Sequence, residues 1–152
     1  MKFLLIPLFL AVAALVGLFV LARLSAVEPD GLGVANGRLA DCPERDNCVS
    51  SQASAPARRV ESIPANGPVE AVMARLEQAV NSMDGGQVIE VRGGYLHAVF
   101  TSRLWRFRDD LECLYDPAGG RIEVRSASRV GYSDMGANRA RVERLRVAMA
   151  GR

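Results

Sequence analysis

The chain has 152 residues, is 49% hydrophobic and 24% charged, and carries a formal net charge of +2. That length suits one small domain. The near-neutral balance, with no basic run interleaved with aromatic residues, argues against a nucleic-acid partner. Lys2 is the only lysine, and a codon bias toward Arg and Ala accounts for the arginine excess more simply than guanidinium chemistry does.

Residues 3–22 form an unbroken apolar run with Lys2 before it and Arg23 after it. A helix of about 20 apolar residues crosses a bilayer core, so residues 1–26 read as a signal-anchor or transmembrane segment outside the globular fold. Leu24-Ser25-Ala26 offers a small-residue cleavage site, but the run exceeds the usual signal-peptide length, which favours an uncleaved anchor. Lys2 holds the N-terminus in the cytoplasm, although Arg23 weakens the asymmetry. The expectation is a single-pass protein of the inner membrane with its domain on the periplasmic side. No cysteine follows the run closely, so no lipoprotein anchor is supported.

Residues 27–38 contain Gly, Pro and Asp without periodicity and read as a tether. Residues 39–152 then form a single domain. It opens on Cys42-Pro43-Glu44-Arg45-Asp46-Asn47-Cys48-Val49-Ser50-Ser51. In an oxidising compartment Cys42 and Cys48 would readily close a small disulfide loop. So short a loop stabilises by about 2 kcal/mol and shapes a local turn. The rival readings are a redox pair and a metal site. The spacing is not Cys-x-x-Cys, and one histidine with one further cysteine hardly completes a zinc tetrad, so no metal and no cofactor are expected. Cys113 reads as a reduced core residue.

After Pro64 and Pro68, Val69, Val72, Met73, Leu76 and Val80 fall on one stripe and predict an amphipathic helix. Asp84-Gly85-Gly86 ends it, and Val88, Ile89 and Val91 suit a strand over 87–92. Gly93-Gly94 turns the chain into an alternating strand over 95–102, forming a hairpin. Leu111, Cys113 and Tyr115 alternate with Asp110, Glu112 and Leu114. Beyond Asp116-Pro117-Ala118-Gly119-Gly120, Ile122, Val124 and Ser126 alternate with Arg121, Glu123 and Arg125. One face of this pair is apolar and the other is charged and expected to be solvated. If Tyr115 faces Ile122, Glu112 lies opposite Arg125. A last helix over about 135–149 puts Val142, Leu145 and Met149 on its apolar stripe, with Arg139, Arg141, Arg144 and Arg146 around the rest. The fold class is α+β: an N-terminal transmembrane helix, then a helix, an antiparallel sheet of about four strands and a C-terminal helix.

The densest chemistry lies in residues 125–139, Arg-Ser-Ala-Ser-Arg-Val-Gly-Tyr-Ser-Asp-Met-Gly-Ala-Asn-Arg, between the last strand and the last helix. The Cys-Pro-x-x-x-Asn-Cys-Val-Ser-Ser opening, taken with Arg-Ser-x-Ser-Arg-x-Gly-x-x-Asp-x-Gly-x-Asn-Arg-x-Arg over 125–141, resembles an uncharacterised family, the domain of unknown function DUF1499. The resemblance spans residues 39–146. It implies a membrane-tethered or exported bacterial protein and no activity that could be transferred, and Cys113 stands where an apolar residue is expected.

Ser126, Ser128, Arg129, Gly131, Asp134, Asn138 and Arg139 are therefore the candidate ligand-binding residues. A helix N-terminus presents free N–H groups and a positive dipole end, which favour an anion: a phosphate, a carboxylate or a lipid headgroup. Arg103 and Arg106, near Trp105, would add donors if that corner folds toward the same end of the sheet. The competing reading is structural: Asp134 or Ser133 caps the helix, and Arg129 and Arg139 make internal bonds. The expected function is a non-enzymatic, membrane-tethered domain that binds a small anion, a lipid headgroup or an envelope partner protein. The alternative is an envelope hydrolase with His97 as base for a serine of segment 126–133 and Asp134 or Asp109 behind it. No Gly-x-Ser-x-Gly elbow surrounds any serine.

Overall fold

The computed structural model describes residues 2–151, with side chains from Ile6 onward. Met1 and Arg152, the outer limits of the expected anchor and domain, lie outside the described residues. The first helix, α1 (Lys2–Leu24), is apolar between Lys2 and Arg23 and contains Pro7. Its Ile6–Leu24 stretch is long and apolar enough to cross a membrane, and none of it is buried by the rest of the chain.

A two-stranded hairpin follows, β1 (Val34–Ala35) and β2 (Arg38–Leu39), turned by Asn36 and Gly37 at positive φ. Next come β3 (Cys48–Ser50), β4 (Ile63–Pro64), α2 (Val69–Asn81), β5 (Gly86–Arg92), β6 (Tyr95–Thr101), β7 (Arg108–Asp116), β8 (Arg121–Ser128) and α3 (Ala137–Ala150). The main sheet is antiparallel with six strands, ordered β3-β8-β7-β6-β5, and β4 pairs beside β3 on the same edge of β8. About four strands were expected. The two extra ones are three and two residues long, too short to show the alternation by which a strand is read from sequence.

The four long strands follow their patterns. Gly93 takes φ +56° between β5 and β6, as a tight hairpin turn requires. Tyr115 pairs with Ile122, which brings Glu112 opposite Arg125. Strand alternation then sends Leu111, Cys113 and Tyr115, with Leu96, Ala98, Phe100, Ile122 and Val124, toward one face. There α2 supplies Val72, Met73, Leu76, Ala79 and Val80, and α3 supplies Val142, Leu145 and Met149, to a single core. Burying a side chain such as Leu76 stabilises by about 2–3 kcal/mol.

Two features depart from the pattern reading. The buried stripe of α3 begins with polar residues, Asn138 and Arg141, so Arg141 is an inward residue, unlike its exposed neighbours Arg139 and Arg144. The second departure is the charged face of the sheet, which is covered. Residues 27–38, expected to be a tether, lie across it as a strap together with Ser25, Ala26 and Leu39: Gly33 N–H donates to Glu112 Oε1 at 2.7 Å, and Leu39 is buried. Glu112 and Asp110 are consequently 0% and 2% exposed.

Candidate functional site

The last strand and α3 meet where the 125–141 segment turns the corner, and alternation along β7 and β8 splits its polar side chains between two faces. Ser126, Ser128 and Asp109 point to α3, whereas Asp110 and Arg129 point to the strap.

On the helix side Asn138 is the hub. Its Oδ1 accepts from Ser126 Oγ at 2.6 Å and from Arg141 Nη1; its Nδ2 donates to Asn47 O at 2.9 Å and Ser128 Oγ at 3.0 Å. Arg141 donates to Ser126 Oγ and Asp109 Oδ2 and lies 4.7 Å above the Phe100 ring. Asn47, from the cysteine loop, donates to the carbonyls of Ser128 and Gly131. The cysteine loop and the 125–141 segment thus form one clasp, closed further by a bridge between Asp46 and Ser133. Cys42 and Cys48 are joined as a disulfide, which shortens the loop that presents Asn47.

Asp134 supplies the anion at the N-terminus of α3 itself. Its carboxylate accepts from Gly136 N–H at 3.0 Å and Asn138 N–H at 2.7 Å, so the groups that would have met a ligand are engaged by the chain's own cap. Arg139 lies on the surface and donates to the carbonyls of Ala57 and Arg59.

On the strap side, Arg129 holds Asp110 with two charge-assisted bonds, Nε to Oδ2 at 2.8 Å and Nη2 to Oδ1 at 2.7 Å. His97 Nε2 lies 2.8 Å from the same carboxylate. Burial alone pushes the Asp110 carboxyl up, but the hydrogen bonds from His97 and Arg129 and the guanidinium charge outweigh it. The group stays below the ordinary carboxylate range. The remaining Arg129 donor reaches the carbonyls of Ser25 and Ala26, and Arg108 donates from its backbone N–H to Ser25 Oγ. Deeper in the same face Glu112 accepts from Arg125 at 2.8 Å and Tyr95 at 3.0 Å; burial, then the Glu112 charge, pushes the Tyr95 hydroxyl well up.

Of the seven candidate residues, Ser126, Ser128 and Asn138 converge. Gly131 joins them through its carbonyl, Asp134 caps, Arg129 belongs to the opposite face, and Arg139 clamps the turn at Pro56–Arg58 from outside. His97 is 3% exposed and turned to Asp110, whereas Ser126 and Ser128 bond to Asn138 across the sheet. Asn47, Asp110 and Arg141 were not among the candidates, and Asp109 stood there only as a possible orienting group in the hydrolase alternative. Asn47 and Arg141 stand inside the two motifs, which was the available signal; the role of Asp110 depends on the strap.

Residues 38–149 match the family described as "Protein of unknown function (DUF1499)". The chain belongs to the DUF1499 family. The DUF1499 match takes in the whole clasp and leaves α1 outside. No curated protein and no solved structure matches the chain.

The clasp end of the domain is also the end nearest α1. Leu21 of α1, Phe107, Ser128, Val130 and Gly131 border a cavity of about 310 Å³. The β6–β7 corner turns to the same end, carrying Arg103, Leu104, Trp105 and Arg106. Arg103 and Arg106 are exposed and join no ion pair among the described residues.

Proposed function

We propose that this chain is a single-pass inner-membrane protein whose domain lies on the periplasmic side and, without catalysing a reaction, binds an anionic ligand at its membrane-facing end. The observation that carries this reading is the fastening of the sheet to the end of α1. Arg108 and Arg129 grip Ser25 and Ala26, so the β6–β7 corner is held beside the helix that would cross the bilayer. The guanidiniums left for a ligand are then those of the corner, since Arg129 and Arg139 of the candidate segment are bonded within the protein. The disulfide supports an oxidising compartment. A lipid headgroup is the anion such a corner meets first.

The test is reconstitution of the full chain in vesicles. Alkaline carbonate leaves it in the membrane, and its melting temperature rises as anionic lipid replaces neutral lipid. Release by carbonate refutes the anchor, and equal melting temperatures in neutral and anionic vesicles refute anion binding.

A further inference from the structure

The β6–β7 corner does not merely point toward the end of α1; together with α1 it frames a half-open cavity of about 540 Å³. Its lower wall is apolar, made by Leu15 and Phe19 of α1 and by Leu104 and Trp105 of the corner; Arg23, Arg106 and Arg108 stand around it. The volume lies in the range that holds a small organic ligand. No carboxylate belongs to its lining among the described residues.

Depth decides what can occupy it. At 1.5 Å rise per residue, Leu15 lies about 13 Å along the helix axis from Leu24. Both Leu15 and Phe19 belong to the Ile6–Leu24 stretch that is long enough to cross a membrane. A bilayer crossed by α1 therefore reaches the lower half of the cavity, and Leu104, 76% exposed, and Trp105 stand in its interfacial zone. Tryptophan suits that zone, with an apolar ring and one polar N–H.

The cavity is thus graded from hydrocarbon below to guanidinium above, which is the order of acyl chain and phosphate in a phospholipid. Arg23 stacks on Phe19 at 4.9 Å, which places its charge at the head of the apolar wall. Arg106 is held in the left-handed region at φ +60° and carries no internal ion pair.

We propose that this cavity holds one anionic phospholipid of the leaflet in which α1 ends, with its phosphate on Arg106 and Arg23 and an acyl chain along Leu15 and Phe19. The proposal rests on the membrane-tethered, anion-binding reading above and specifies its ligand. Leu104 and Trp105 close the outer side of the chain, and Arg108, which also donates to Ala26 O, ties the cavity to the sheet.

Trp105 is the only tryptophan, so fluorescence excited beyond the tyrosine absorption band reports on this cavity alone. The full-length chain is reconstituted in vesicles containing a brominated lipid, either anionic phosphatidylglycerol or neutral phosphatidylcholine, at equal mole fraction. Brominated phosphatidylglycerol is expected to quench Trp105 as though enriched about fivefold over the neutral lipid. Arg106→Asn, which tolerates positive φ, combined with Arg23→Gln, should bring the two lipids to parity while leaving the melting temperature in neutral vesicles unchanged.

Equal quenching of the unmodified chain by the two lipids overturns the proposal without any variant, and if the melting temperature still rises with anionic lipid, the broader anion-binding reading survives. Recovery of fluorescence on adding inorganic phosphate would put a free ion in the site and also overturn it. Loss of the chain from the vesicles refutes the anchor, and with it the cavity, because α1 is one of its walls.

Discussion

Replacing Asp110 by Asn tests the buried charge network most directly, because the side chain keeps its shape but loses its charge and one of the two acceptor oxygens that face Arg129. Arg129 and His97 side chains are each 4% exposed and share this one carboxylate, itself 2% exposed. Breaking a buried pair on one side leaves an uncompensated charge and costs about 3–5 kcal/mol. Cys113 supplies the assay: it is the one free cysteine, 0% exposed on the central strand β7. Burial, then the neighbouring Glu112 charge, pushes its thiol well up. Its alkylation therefore waits for the core to open, and the labelling rate of the native chain reads the unfolding free energy. Asp110→Asn should raise that rate about a hundredfold to a few thousandfold. Glu90→Gln, which removes an exposed ion pair with Arg92, should leave it unchanged. Acid should act in the same direction. Asp110 binds its proton less readily in the folded chain than in the unfolded one, so its contribution is complete above the ordinary carboxylate value of about 4. It is lost as pH falls from there through the depressed folded value, and Asp110→Asn should flatten that slope. An increase in labelling of less than about tenfold would mean that the network does not hold the sheet to the strap.

His97→Gln keeps a donor for Asp110 and should cost only about 1–2 kcal/mol by the same labelling assay. Membrane and anion binding should persist, and loss of function in a folded H97Q protein would favour the hydrolase alternative. Asn138→Ala removes four hydrogen bonds at the clasp and should destabilise by about 3 kcal/mol. Arg139→Ala, on the surface, should cost less than about 1 kcal/mol, and comparable losses for the two would show that the clasp is not centred on Asn138. Changing Cys42 and Cys48 together to Ser should cost about 2 kcal/mol in denaturant unfolding, and no loss would show that the loop presenting Asn47 is held without the disulfide.

Local pattern carried most of the fold. The stripe Val72, Met73, Leu76 and Val80 marks α2, and the alternation about Cys113 and Val124 fixes β7, β8 and their register, because one face of each is apolar. Pattern fails where the covering partner is distant in sequence. Asp110, Glu112 and Arg125 alternate with core residues as a solvated face would, and no local signal announces that residues 25–39 return to cover them. The 125–141 segment was recognisable as unusual, but its meaning depends on Asn47, some eighty positions away. Ser128 and Arg129 are neighbours in sequence yet face opposite layers, so a cluster in the sequence becomes two networks in space.

The same geometry bears on whether the anchor is cut. Cleavage after Ala26 would take Ser25 and Ala26 away with α1. Ser25 is fully buried, accepts the Arg108 N–H at 3.2 Å through its hydroxyl, and with Ala26 offers carbonyls to Arg129. Ala26 and Val27 are themselves exposed, but a chain cut between them would leave Arg108 and Arg129 without these acceptors at the edge of a buried charge network. With net values near 1 kcal/mol per hydrogen bond and lengths of 3.2–3.4 Å, the loss should be about 2 kcal/mol. Two truncated chains, one starting at Leu24 and one at Val27, should differ by that amount in denaturant midpoint, with the longer more stable. The protein isolated from membranes should then carry its N-terminal segment by intact mass. A mature N-terminus at Val27, or equal midpoints for the two truncations, would mean that Ser25 and Ala26 belong to the leader and that the sheet does not need them.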